Sequence, residues 1–242
     1  MDNLMGDTIV YLPLDEVDRG REPQMRFRLY YDGELRSDQK KTEDNEDPIS
    51  LAQHKQKIRR KFHTQLKQLW ATNQFLREHK VHRTDYTTSK SSPKDAKQYV
   101  DAPLALVDAI ALQYVENGYR FVPLVRGDLT LLCNLHVLFL RRDYPGAGLI
   151  SAGDIDNRIK TLVDGLTKPL GGGQLGGLQP EAGEDPFFCL LESDSLVNSL
   201  TVETDALLSP PRNGDGSSNW VRLVITVELR PYHVTPFNLG FA

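Results

Sequence analysis

The sequence predicts an α/β fold of one domain, a mixed β-sheet flanked by helices. Three observations predict it. Residues 129–141 (LTLLCNLHVLFLR) are a nearly continuous apolar run of strand type. Residues 220–230 alternate Val221, Leu223, Ile225, Val227 and Leu229 with Arg222, Thr226, Glu228 and Arg230, the period of a half-buried strand. Leu51, Ile58, Phe62, Leu66 and Leu69 recur at steps of three, four or seven, one stripe of a helix. A chain of 242 residues that mixes both periods can bury an α/β core without staples.

The elements follow in order. Residues 8–13 and 25–31 have strand composition, the second ending at a turn signal, Asp32-Gly33. Asp47-Pro48 opens the long helix, whose apolar stripe faces the core. Residues 84–101, rich in Thr and Ser, read as a polar loop or linker. A short helix follows, capped by Asp101 with Pro103 in its first turn and closed by Asn117-Gly118. The run at 129–141 suits a central strand covered on both faces, with His136 a core histidine. A helix opens near Gly153-Asp154 and ends near Lys168-Pro169. The glycines between 170 and 186 then read as a mobile insertion; no Gly-Lys-Ser/Thr follows to make a phosphate-cradling loop. Strands at 196–204 and 220–230 close a single domain spanning 1–242.

Composition excludes several classes. Cys133 and Cys189 are too few for a disulfide framework and lack zinc spacing, which suits two core thiols in a reducing interior. The start has no basic n-region and no run of about 18 apolar residues occurs, so the expectation is a cytoplasmic protein without a membrane partner. The formal net charge of −4 argues, on its face, against nucleic acid, yet it averages over strong polarity. Residues 1–50 carry 7 Lys/Arg against 13 Asp/Glu, residues 52–100 carry 12 against 3, and residues 180–216 carry 1 against 8. The expectation is a basic face around an acidic pocket, with histidines 54, 63, 79 and 82 on the basic surface. Tyr31 and Trp70, like Tyr30, suit the core better than base stacking.

The chemistry is concentrated in two places. Gly153-Asp154-Ile155-Asp156-Asn157-Arg158-Ile159-Lys160 lies between the apolar strand and a helix, with Asp164 further along. One aspartate at a helix N-terminus is a cap; Asp154 and Asp156 joined by Asn157, Lys160 and Asp164 exceed what capping requires. Glu192-Ser193-Asp194-Ser195-Leu196-Val197 sets two further carboxylates just before a strand. Carboxylates converging at one edge repel unless a cation sits between them, and hard oxygen donors suit Mg²⁺ or Mn²⁺. Lys160, one turn beyond Asp156, could balance phosphate charge or pair within the helix.

Asp154-Ile155-Asp156-Asn157-Arg158-Ile159-Lys160, continued by Leu162-Val163-Asp164-Gly165-Leu166, resembles the D-x-D-N-x-x-K motif of the RusA-type Holliday junction resolvases. The later Ser193-Asp194-Ser195-Leu196-Val197 resembles that family's D-D-x-x-V, with serine for the first acid. The order of elements agrees over most of the chain, while motif-level likeness is confined to 154–166 and 193–197. The resemblance implies a RusA-like fold and a Mg²⁺-dependent, homodimeric endodeoxyribonuclease that cuts four-way DNA junctions in recombination and repair. It implies metal-binding Asp154, Asp156 and Asp194, a catalytic Lys160, supporting Asn157 and Glu192, and DNA contacts from Arg141, Arg142 and Arg158. The chain is about twice the family's usual length, through its acidic N-terminal stretch, the region 84–125 and the glycine-rich insertion. A different class stays open, a non-catalytic DNA-binding or assembly module on the same fold with a vestigial acidic site. Convergence of the three aspartates favours the enzyme, and an Asp194 turned away favours the module.

Overall fold

The computed structural model describes residues 25–37, 48–81, 103–141, 152–208, 219–235 and 238–241. The expected strand at 8–13, the loop 84–101, Asp101, His82 and Arg142 lie outside them. The elements are β1 (Met25–Glu34), α1 (Pro48–Thr72), α2 (Gln74–Glu78), β2 (Lys80–Val81), β3 (Leu104–Ala105) and α3 (Leu106–Gln113). After them come β4 (Val115–Glu116), β5 (Tyr119–Val125), β6 (Leu131–Arg141), α4 (Ala152–Leu166), β7 (Phe187–Leu191), β8 (Val197–Ala206) and β9 (Trp220–Pro231). The described residues form a mixed α/β structure of three sheets and four α-helices.

The main sheet has the order β1-β9-β6-β8. β9 runs antiparallel to both its neighbours, and β6 and β8 are parallel, as a crossover through α4 requires. Val221, Leu223, Ile225, Val227 and Leu229 of β9 and Leu131, Cys133, Leu135, Val137 and Phe139 of β6 are buried on one face. Their alternate neighbours are half-buried, with His136 exposed, so β6 is central in the sheet but only one of its faces is fully buried among the described residues. His136 falls on the open face and is exposed, not a core histidine. Asp32-Gly33 makes no turn: β1 continues through both, opposite Arg222 and Val221.

A smaller sheet, β4-β5-β7, was not legible in the pattern. β5 and β7 are parallel and almost wholly buried. Pro123 is tolerated in β5 because β4 pairs only with residues 119 and 120 on that side. Asn117-Gly118 joins β4 to β5, both with positive φ (47° and 82°), and so turns a hairpin rather than ending a helix. The short helix itself starts later than expected, at Leu106, with Ala105 as its cap residue.

Helix α1 sits between the two sheets. Ile58, Phe62 and Leu66 enter the main core, as the stripe predicted, and Tyr31 and Trp70 are also buried, whereas Tyr30 is exposed. The other side of α1 is not a solvated basic face. Gln56, Arg59 and His63 are buried, and His63 Nδ1 accepts the Phe188 N–H at 2.8 Å while its ring stacks on Phe187. The glycine-rich segment docks there as well. Leu175 is fully buried, Gln53 Nε2 donates to the Gly176 carbonyl at 3.0 Å, and a Cβ at 176 would lie 2.9 Å from the Gln53 nitrogen. Arg60 pairs with Glu184 at 2.8 Å, so part of the acidity of 180–216 neutralises the basic helix instead of standing apart from it. His54 is likewise buried, not a surface group.

Candidate active site

The fold separates the proposed site residues. α4 rises from its first turn, with positions 154, 156, 157, 158 and 160 in its first three turns, and ends beside β7, where Thr167 bridges to Leu191. Asp156 and Lys160, four residues apart, share one face and are both exposed. Position 154 is two residues from 156 and so about 200° away around the helix axis. The side chain of Asp154 lies outside the described residues. Asn157 is half-buried, its carbonyl accepting the Thr161 hydroxyl at 3.1 Å. Asp164 is engaged by Lys55 of α1 at 2.8 Å.

Asp194 is elsewhere. It opens a short 3-10 turn leading into β8, and it is exposed. β8 starts with Val197 opposite Cys133, near the beginning of β6. The front of α4 is tied to the other end: Arg158 Nη2 donates to Asn219 Oδ1 at 3.0 Å, and Asn219 directly precedes β9, whose Val221 faces Arg141 at the end of β6. Eight residue steps of extended chain lead from Cys133 to Arg141, about 26 Å of strand. Asp156 and Asp194 therefore stand at opposite ends of β6 and do not converge within one chain. Among the described residues no group of three His, Cys, Asp or Glu side chains is arranged to hold a metal ion.

The local sequence explains the rest of the acidic turn. Ser193, where the resemblance expects an acid, caps the 3-10 turn by accepting the Ser195 N–H at 3.3 Å. Glu192 is structural: its Oε2 accepts the Gly127 N–H at 3.0 Å, and its own N–H donates to the Val125 carbonyl at 2.9 Å. It belongs to a group that sequence reading missed, at the C-terminal ends of the parallel β5 and β7. There Arg126 is fully buried and pairs with Asp128 at 3.2 Å. Tyr114 sits beside Glu192, and burial first, then that carboxylate, push its hydroxyl well above the ordinary range. The usable signal was Arg126-Gly127-Asp128 directly after an apolar run.

Two of the proposed DNA contacts are also placed unexpectedly. Arg141 and Arg158 are 5% and 6% exposed, so neither guanidinium lies on the surface where a duplex backbone would touch it. Lys57, Lys61 and Lys67 of α1 are exposed instead. The cysteines match expectation as free, buried thiols, and burial pushes both up to about 12, which leaves them without nucleophilic character at neutral pH. No helix among the described residues is long and apolar enough to cross a membrane. No family model, curated protein or solved structure matches the chain.

Proposed function

We propose that the chain is a RusA-like, structure-selective endodeoxyribonuclease that works as a homodimer in the cytoplasm on branched DNA such as four-way junctions. The observation that carries this reading is the exposed pair Asp156 and Lys160, one helical turn apart on α4 in the motif that resembles the family. A carboxylate and an ammonium on one exposed face suit a phosphodiester: the ammonium balances charge that develops on the phosphoryl oxygens. Because Asp194 is remote from Asp156 within the chain, a complete acidic site calls for two copies, Asp154 and Asp156 from one and Asp194 from the other. Mg²⁺, or Mn²⁺, bound by such a set would supply an activated water. The exposed lysines of α1 give sequence-independent attraction to the phosphate backbone.

The test is a strand-cleavage assay on duplex, flap, single-stranded and four-way substrates with Mg²⁺, Mn²⁺ or EDTA. Metal-dependent cutting that favours the branched substrates supports the proposal. The position of Asp194 favours the second reading, a non-catalytic DNA-binding or assembly module, and binding of the junction with no cutting under any metal would establish that reading instead.

A further inference from the structure

The two edges of the main sheet differ. At β1 the outer edge is occupied by side chains of α1: Gln65 accepts the Tyr30 N–H at 2.8 Å and donates to the Tyr30 carbonyl at 2.7 Å, and Lys61 donates to the Asp32 carbonyl. At the other edge β8 has β6 as its one strand neighbour among the described residues. It runs for 10 residues, VNSLTVETDA, of which Asn198, Ser199, Leu200 and Thr201 are exposed in succession. It carries no Lys, Arg or Pro, residues that commonly blunt an edge. Leu200 stands opposite the buried Leu135 on the helix-covered face, yet it is 40% exposed. An apolar row thus runs off the sheet at an edge able to accept another strand.

The strand is self-complementary in one register. Glu203 and Asp205, opposite Leu138 and Leu140, belong to the other face. In an antiparallel pair of β8 strands related by a two-fold axis, a centre at Glu203 or Thr204 sets acid against acid, which is destabilising. A centre at Thr201 sets Ser199 against Glu203, Leu200 against Val202, and Thr201 against its own copy. Leu200 and Val202 are the large apolar residues of β8 beyond the irregularity that follows Val197. Only the centre at Thr201 opposes these two directly on both sides of the axis.

We propose that β8 is the homodimer interface: it pairs antiparallel with β8 of a second copy, centred on Thr201, and joins two four-stranded sheets into one continuous sheet. The pairing also bears on the composite acidic site, a step that rests on the nuclease reading. It carries the start of one β8, which Asp194 precedes, to the end of the other, where Ala206 faces Arg141. The Arg158–Asn219 contact ties the front of α4 to that same end. Asp194 of one copy then stands at the Asp156 end of the other.

Thr201→Cys tests the axis in the full chain, without DNA or metal. Directly opposed residues of an antiparallel pair have Cα atoms about 4.5–5.5 Å apart, within disulfide range, so mild oxidation should convert most of the variant into a covalent dimer. The wild type, whose two cysteines are buried, should not cross-link. Nor should Glu203→Cys, whose copies would lie four residue steps apart, about 14 Å. Leu200→Lys, at an exposed position, should weaken dimerisation roughly tenfold or more in sedimentation equilibrium while leaving the circular dichroism spectrum unchanged. A wild-type chain that sediments as a monomer, or a Thr201→Cys chain that cross-links no better than Glu203→Cys, overturns the interface. Cross-linked dimers that cut no branched DNA with Mg²⁺ overturn the nuclease reading and leave the interface standing. Metal-dependent cutting by a chain that fails the cross-linking test overturns the interface alone.

Discussion

Gly165 of α4 lies against Ile58 of α1 so closely that a Cβ at 165 would sit 2.5 Å from Ile58 Cγ2. The glycine in the motif's Asp164-Gly165-Leu166 is thus a helix-crossing residue. It lets α4 settle on α1 with Asp164 beside Lys55 and fixes how the exposed face of Asp156 and Lys160 is presented. Gly165→Ala gains about 1 kcal/mol of helix propensity, but overpacking costs about 1–3 kcal/mol, so a net loss is expected. Urea unfolding of the single mutants and of Ile58→Ala/Gly165→Ala checks it. The double mutant should recover about 1 kcal/mol relative to the sum of the two; additive losses would show that the crossing does not depend on this contact.

Arg59 illustrates a basic residue with an internal role. Its Nε donates to the Thr167 carbonyl at 2.9 Å and its Nη1 to the Gln174 carbonyl at 3.2 Å, which ties α1 to the end of α4 and to the glycine-rich segment. Burial lowers its pKa to about 10, so it stays charged at neutral pH. Arg59→Met should cost about 2–4 kcal/mol by orphaning those carbonyls, with little change in DNA affinity. Lys57→Ala should do the reverse, weakening DNA binding and its salt dependence while leaving stability within about 0.5 kcal/mol. Denaturant midpoints and salt-titrated binding isotherms separate the two classes.

His54 accepts the Arg36 N–H on Nε2 at 3.2 Å, and burial first, with Arg36 adding to it, lowers its pKa to about 4. The folded value lies below the unfolded one of about 6.5, so the unfolded chain takes up the proton first as pH falls. The stabilisation is fully present above about pH 6.5 and is lost progressively down to about pH 4. The loss attributable to His54 is on the order of 2 kcal/mol. His54→Gln keeps an acceptor for Arg36 but cannot titrate, and it should flatten the stability profile across that window. A profile unchanged from wild type would remove His54 from the account.

The parts of the fold that the sequence disclosed are those whose pattern is self-sufficient. β9 alternates over its whole length, α1 repeats its stripe for five turns, and α4 carries Ile155, Ile159, Leu162 and Leu166 on one face. The lost parts depend on partners. Phe187–Leu191 is short and follows a glycine-rich stretch, so nothing local distinguishes a buried strand from a loop, and β5 is interrupted by Pro123. His136 and His63 were misplaced in opposite directions. A histidine in an apolar run looks buried and one in a basic run looks exposed, yet burial depends on which elements pack against each face. For the site, motif spacing correctly sets Asp156 and Lys160 on one helical face. It carries no information on the sheet register that puts Asp194 at the far end of β6.

That register yields the sharpest prediction. If the acidic site is completed between two copies, Asp156→Asn and Asp194→Asn homodimers should each lose metal-dependent cutting while retaining DNA binding. Mixed and allowed to exchange subunits, they form heterodimers in which one site carries both substitutions and the other carries none. Random exchange makes half the dimers mixed with one intact site each, so nicking should return to about a quarter of the wild-type rate. A site contained within one chain leaves both chains of every mixed dimer defective, and no activity returns. Strand nicking on a labelled four-way junction reads the difference directly, because a single intact site suffices for one cut. Undiminished cutting by Asp156→Asn alone would remove α4 from the chemistry altogether.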